Sequence, residues 1–341
     1  MNQIYCLTRR QIGRLAGNLA LAAMAGGRAS AAEAVAMLGH FSSANPQTYA
    51  KATGAFEKAF GGRATVNYAT VSAAPQIIAA MAGGSMDICN IGSSPMVTAF
   101  ASGLKVSMIY VQKYITDSEC LAVRNDSGIK HIEDLRQKTV GLPFNTSAHF
   151  AMLGALKMAG LRPTDVKLIN MKPDSIVAAW KRKDIDATYI WYPVLGEAVQ
   201  DGGEIIFRTG DLQQVGTLVF DGIIVRNEFK EKHPDLVLDY LREYDRLCRL
   251  YRDRPQEVVD VLAPYLSLSP QIATDYVKTF YALTPQEMAS DRWMGLPGAK
   301  DTGVLKTLRD QAEFLKAADQ ISAIPENLSP FVDASFLAKM V

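Results

Sequence analysis

The sequence predicts an α/β chain in two lobes, each a mixed, mainly parallel sheet flanked by helices, with a two-strand hinge between them. Three observations carry this expectation. Strand, polar turn and helix follow one another three times, over 35–60, 65–81 and 86–100, and such a succession implies a parallel sheet with right-handed crossovers. The same order starts afresh at 139–159, which makes a second array. A last apolar run at 219–225 precedes a remainder that reads as helical. A chain that leaves one lobe, builds another and returns must cross twice, here at 119–123 and 219–225. With 341 residues, 48% of them hydrophobic, there is enough chain for two cores. The expected division is 32–118 plus 223–341 for the first lobe and 119–222 for the second.

In order, 35–41 is a strand, 42–46 a polar turn containing Ser43 and Asn45, and 49–60 a helix stopped by Gly61 and Gly62. A strand at 65–71 leads through Ser72 to a helix at 75–81, ended by Gly83 and Gly84. Met86 to Cys89 form a short buried strand, Gly92 allows a turn, and Ser94 before Pro95 reads as an N-cap with proline at the first helical position. Unpaired amides, the positive end of the helix dipole and two serine hydroxyls would converge there, which suits an anion. An ordinary cap uses the same residues, so the stretch alone leaves both readings open.

Strands follow at 106–110 and 120–123, then a loop at 124–130 and the opening of a new unit at 132–135. A strand at 139–143 runs into the polar turn Phe144, Asn145, Thr146, Ser147, Ala148, His149, which opens a helix to 159. Strands at 165–170 and 187–190 enclose a helix at 174–181, and Trp191, Tyr192 and Pro193 close the second of them. After strands at 204–207 and 219–225 come helices at 236–251, 255–262, 270–281 and 303–318. Ligands of open α/β sheets sit beyond the carboxyl ends of the strands. The turns at Ser43 and Asn45, at Ser72 and at Ser93 and Ser94 should therefore meet on one edge, faced by the turn at 144–149.

Charge narrows the partners. Arg9, Arg10, Arg14 and Arg28 lie in the first 31 residues with no acid, leaving 32 basic against 35 acidic residues in the remainder. That balance argues against a nucleic-acid footprint. The basic start, the weakly apolar run 15–27 and Ala29, Ser30, Ala31 read as an export signal. Thr8 to Ile12 resembles a twin-arginine signal. The apolar run is shorter than the roughly 20 residues that span a bilayer, and Cys6 precedes it, unlike a lipoprotein cysteine. A soluble periplasmic protein is expected. Cys89, Cys120 and Cys248 lack CxxC or Cys/His spacing, so no metal and no cofactor is expected. Cys89 and Cys120 either face each other across a sheet or are small apolar strand residues. GxSxG and P-loop motifs are missing from the sequence.

In this order the chain resembles the type II periplasmic solute-binding proteins of ABC importers, and specifically the taurine/alkanesulfonate-binding family. The matching stretches are DICNIGSSP at 87–95, SECLAV at 118–123, GLPFNTSAH at 141–149, AAWKRKDIDATYIWYP at 178–193, FDGIIVR at 220–226 and EKHP at 231–234. The resemblance implies a monomeric receptor that closes on a small anionic or zwitterionic ligand, a taurine-like sulfonate, and docks on a permease in the inner membrane. It implies that Ser93, Ser94, Thr146 and Ser147 contact the sulfonate and that Asp221 meets the amine. Tyr192 departs from the pattern, standing where a small residue is expected, and Ala73 stands where glycine follows the serine.

The residues themselves admit two roles each. Thr146 and Ser147 are N-caps or ligand contacts, and three other polar turns aimed at one cleft favour contact. His149 is either a cap-side hydrogen-bonder or a ligand contact. Trp191, at a strand end beside Pro193, suits an apolar cleft wall better than a core position. Glu119 and Asp221, on the expected crossing strands, form either a hinge salt bridge or the site of a ligand cation. A bare anion about 5 Å from a carboxylate would pay on the order of 1 to 3 kcal/mol at surface-like dielectric, and a zwitterion removes that conflict. The competing functions are a receptor for an alkanesulfonate, nitrate or an aromatic carboxylate stacked on Tyr192, and an enzyme resembling thiamine-pyrimidine synthases.

Overall fold

The computed structural model describes residues 34–341, so the export signal expected over 1–31 lies outside the described residues. Two five-stranded sheets organise the chain. The first comprises β1 (Ala34–Phe41), β2 (Ala64–Val71), β3 (Ile88–Gly92), β4 (Val106–Tyr114) and β10 (Phe220–Arg226), in the spatial order β2-β1-β3-β10-β4. The second comprises β5 (Glu119–Arg124), β6 (Thr139–Leu142), β7 (Lys167–Asn170), β8 (Ala187–Trp191) and β9 (Gly203–Arg208), in the order β7-β6-β8-β5-β9. β1 is parallel to β3, and β6 is parallel to both β7 and β8. β10 runs against both of its neighbours, and so does β5. The reversed strand in each sheet is thus the first one laid down after the chain changes sheets.

The crossings themselves lie just outside these strands. Residues 115–118 carry the chain out and 216–219 bring it back, tied to each other where the Ile115 amide donates to the Val219 carbonyl at 2.9 Å. Glu119 and Asp221 therefore stand at the beginnings of β5 and β10, inside separate sheets, rather than on strands that span the two lobes.

Helix boundaries follow local chemistry, with three corrections to the sequence reading. The helix expected at 49–60 is two, α1 (Pro46–Thr53) and α2 (Ala55–Phe60), because Gly54 turns left-handed with φ 67°. α3 (Ala74–Ala82) starts one residue before the expected 75, with Ala73 at its N-cap. α4 (Ser93–Ala101) starts directly from β3 with extended Gly92 as N-cap, so Ser93 and Ser94 lie within the first helical turn instead of before it. α5 (Ser147–Met158) is capped by Thr146, its hydroxyl accepting from the His149 amide at 3.3 Å. α6 (Pro173–Arg182) and α7 (Val194–Gln200) flank β8, and α7 was not foreseen from the sequence.

After β10 come α8 (Asn227–Lys232), α9 (Pro234–Asp253), α10 (Pro255–Leu266), α11 (Pro270–Lys278), α12 (Pro285–Met288) and α13 (Gly303–Ala317). Proline opens four of these, where its missing amide costs nothing. The long helix α9 buries Leu236, Val237, Tyr240, Leu241, Tyr244 and Leu247 along one stripe, and Phe56 of α2 stacks on Tyr240 at 4.4 Å between ring centroids. The second core forms around Leu121, Val140, Met152, Leu156 and Tyr189. Cys89 and Cys120 lie in β3 and β5, in different sheets, so they do not face each other. Both are buried and free, as is Cys248, which leaves the small-apolar reading.

α13 packs on α4 and brings late residues back to the first sheet. Its start is tight: Thr302 caps it, and a Cβ on Gly303 would stand against the Arg292 carbonyl oxygen, which is backbone and cannot swing away. Gly303→Ala is expected to destabilise the protein by about 1–3 kcal/mol, read as a lower denaturant midpoint at unchanged slope. A midpoint equal to wild type would show that the α13 start is loosely held.

Candidate functional site

The site begins where β3 runs into α4. Ser93 and Ser94 are both fully buried. The Ser93 hydroxyl accepts from Gln311 Nε2 of α13 at 2.9 Å. The Ser94 hydroxyl has no hydrogen-bond partner among the described residues. A helix start with a buried, unanswered hydroxyl suits an anion whose oxygens would answer it.

Two neighbouring strands place charge beside that start. Asp221 of β10 lies opposite Gly92 on one side and opposite Lys113 of β4 on the other. A Cβ on Gly92 would come within 3.4 Å of Asp221 Oδ1, so the carboxylate lies close beside the start of α4. Lys113 Nζ lies 3.4 Å from Asp221 Oδ2, with its side chain only 9% exposed. The rings of Tyr276 and Phe280 lie 5.9 and 6.0 Å from the ammonium. Burial pushes the Lys113 ammonium down, but Tyr276, Asp221 and Glu119 outweigh it and raise it, so it is charged at neutral pH.

The second lobe contributes Glu119, the first residue of β5. It is buried, accepting from Ser147 Oγ at 2.7 Å and from Thr209 Oγ1 at 3.3 Å. Burial pushes its carboxyl up to about 7, aided by Asp221 and opposed by the Ser147 and Thr209 hydroxyls and by Lys113. Trp191 pairs opposite Glu119 across β5 and β8 and is half-buried against the second core. Ser147 opens α5, which packs on α4, so the two helix starts come from opposite lobes. The centre therefore holds two carboxylates, one ammonium and two helix N-termini. Such a set can hold an anion between donors and can exchange a proton at Glu119. Among the described residues no group of three or more His, Cys, Asp or Glu side chains could hold a metal ion.

The other expected residues have local roles. Asn45 caps α1, accepting from the Thr48 amide at 2.9 Å and donating to Ser43 Oγ at 2.9 Å. Ser72, at the end of edge strand β2, is exposed and bonded to Gln76. Asn145 is exposed and left-handed with φ 59°, which lets the turn enter α5. Thr146 donates to the Pro143 carbonyl at 2.7 Å. His149 stacks on Phe144 at 4.3 Å, meets Phe314 of α13 edge-on, and is pushed down to about 4 by burial, so it is neutral. Tyr192 stacks on Tyr276 of α11 at 5.6 Å, an interlobe contact that occupies one of its faces.

Lys113, Thr209, Tyr276 and Gln311 were missed from the sequence. Two of them carried a local signal. Lys113 is the one charged residue of a strand that is buried at every position, and Gln311 falls on the buried stripe of α13 with Val304, Leu308, Ala312 and Leu315. A separate cavity of about 330 Å³, lined by Asp87, Arg226 and Lys232 among others, lies at the opposite end of β3 and β10.

Residues 35–264 match the model of the NMT1-like family. The taurine-binding periplasmic protein of Escherichia coli strain K12 is 30% identical over 301 residues, covering 86% of this chain and 90% of that protein. Among solved structures, the periplasmic aliphatic sulphonate binding protein SsuA from Escherichia coli superposes with a TM-score of 0.73 at 21% identity, over 85% of this chain and 94% of that one. The desulfurization enzyme DSZB superposes with a TM-score of 0.62 at 16% identity, over 90% and 98% of the two chains. The last two show a shared fold, with two mixed sheets flanked by helices in two lobes.

Glu119 yields a pH test. Its carboxyl titrates near 4.5 ordinarily and near 7 when folded, so between those values the folded state binds more protons than the unfolded one. Stability from this group is therefore lost as pH rises from about 4.5 to about 7, by at most about 3 kcal/mol. Glu119→Gln removes the slope, so variant stability should gain on wild type across that window in denaturant titrations. His40 and His149, both pushed down to about 4 mainly by burial, act in the opposite sense but are common to both proteins. A difference independent of pH would refute the burial of an ionisable Glu119.

Proposed function

This chain belongs to the NMT1-like family, and from that premise we propose that it is a periplasmic substrate-binding receptor of an ABC transporter. It captures taurine or a similar small sulfonate between the lobes and delivers it to a permease in the inner membrane. The observation that carries the reading is the packing of α4 on α5, helices from opposite lobes, with Ser93, Ser94, Thr146 and Ser147 at their starts and one buried hydroxyl unanswered. The free amides of the two helix starts and the Ser94 hydroxyl would donate to the oxygens of a sulfonate, and the dipoles of both helices favour its charge. Trp191 and the ring pair Tyr192 and Tyr276 suit a short carbon chain beyond the head group.

The lobes turn about the paired connections at 115–118 and 216–219, where a single backbone bond links them. Contacts of Phe314 with His149 and Phe150, and of Tyr276 with Tyr192, hold the lobes on either side of the site. A receptor role is supported by the curated relative, a binding protein, across most of both chains.

A thermal-shift series tests the ligand class. At 100 times its dissociation constant a true ligand stabilises by about 2.7 kcal/mol, so small sulfonates should raise the melting temperature by several degrees. A shift with nitrate or an aromatic carboxylate and none with any sulfonate would overturn the reading. Export gives a second test. Intact-mass analysis of periplasmic protein should show cleavage after Ala31, and retention of residues 1–31 would overturn the signal assignment.

A further inference from the structure

We propose that Lys113 is a specificity-determining residue of the cleft: by pairing with Asp221 it closes that carboxylate to a ligand ammonium and turns the receptor toward small sulfonates without an amine. The proposal rests on the sulfonate reading above and narrows it.

Lys113 lies in β4, where every residue is buried, and its register places it directly opposite Asp221. Its Nζ is 3.4 Å from Asp221 Oδ2, and among the described residues Asp221 is its one ion-pair partner. The nearby surfaces are the rings of Tyr276 and Phe280. A lysine ammonium has three donors, and one carboxylate does not use them all. A buried ammonium in that position needs acceptors, and the oxygens of an anionic ligand would supply them.

Asp221 links this charge to the start of α4, because its other carboxylate oxygen lies beside Gly92. An anion at Ser93 and Ser94 therefore has a carboxylate beside it, and Lys113, paired with the far oxygen of that carboxylate, offsets the repulsion. A ligand ammonium entering the same space meets the opposite situation. It would have to take Asp221 from Lys113 and leave two like charges together in a site with little water. The remaining carboxylate, Glu119, already accepts from Ser147 and Thr209 within the second lobe. The amine-bearing ligand is thus disfavoured by a charge of its own sign, and the amine-free sulfonate gains a partner.

Taurine and 1-propanesulfonate differ only in an ammonium against a methyl group, and titration calorimetry on the mature protein compares them. Wild type should bind 1-propanesulfonate about tenfold or more tightly than taurine. Lys113→Met keeps most of the side-chain length without the charge and leaves Asp221 free. It should weaken 1-propanesulfonate and narrow or reverse the preference. Lys113→Arg, which keeps the charge, should retain the wild-type order. Equal or tighter binding of taurine by wild type overturns the role of Lys113 while leaving the sulfonate reading standing, and needs no variant to fold. An unchanged ratio in a folded Lys113→Met protein does the same. Failure of wild type to bind either sulfonate, with nitrate raising the melting temperature instead, overturns the sulfonate reading and this proposal together.

Discussion

A buried charge must be answered, and that constraint governs the place where the two sheets meet. Lys113, Asp221 and Glu119 come from three strands, β4, β10 and β5, and lie close enough to influence one another. An isolated ion in this interior would cost several kcal/mol after relaxation, so the strands that bear these groups are held in register by one another's charge as well as by their ladders. The pairing of Asp221 with Lys113 on one side and Gly92 on the other sets β10 between β3 and β4.

Chain direction then explains why helix starts surround this point. β3 and β6 run toward it and deliver α4 and α5 with their amides foremost, whereas β5 and β10 run away from it and deliver carboxylates at their beginnings. Acid and donor are thus separated by topology: forward strands end in donors, and reversed strands begin with acids. The reversal itself follows from the route of the chain, since a strand entered straight from the other sheet begins at the junction.

The aromatic residues near the cleft act between lobes more than toward a ligand. His149 lies flat on Phe144 and edge-on to Phe314, and burial keeps it neutral. Tyr192 gives one face to Tyr276. The bulk of Tyr192, a departure from the family pattern, is therefore absorbed by an interlobe stack. Nothing in that stack requires an aromatic ligand.

Several features were legible in the residues alone. The alternation of strand, turn and helix gave two mixed sheets, because periodicity and capping are local properties that neighbours in sequence decide. The polar turns at Ser93, Ser94, Thr146 and Ser147 marked both helix starts for the same reason. What the tertiary structure alone decided was partnership. Ser93 is answered by Gln311, Glu119 by Ser147 and Thr209, and Asp221 by Lys113. Each pair joins elements far apart in sequence, set together by strand order and by the return of the C-terminal helices. Local pattern carries no information about which distant strand will lie alongside, so it left Asp221 either salt-bridged or open to a ligand cation. The fold shows it facing a lysine, because long-range register, settled by burial and ladder pairing, determines which charges meet.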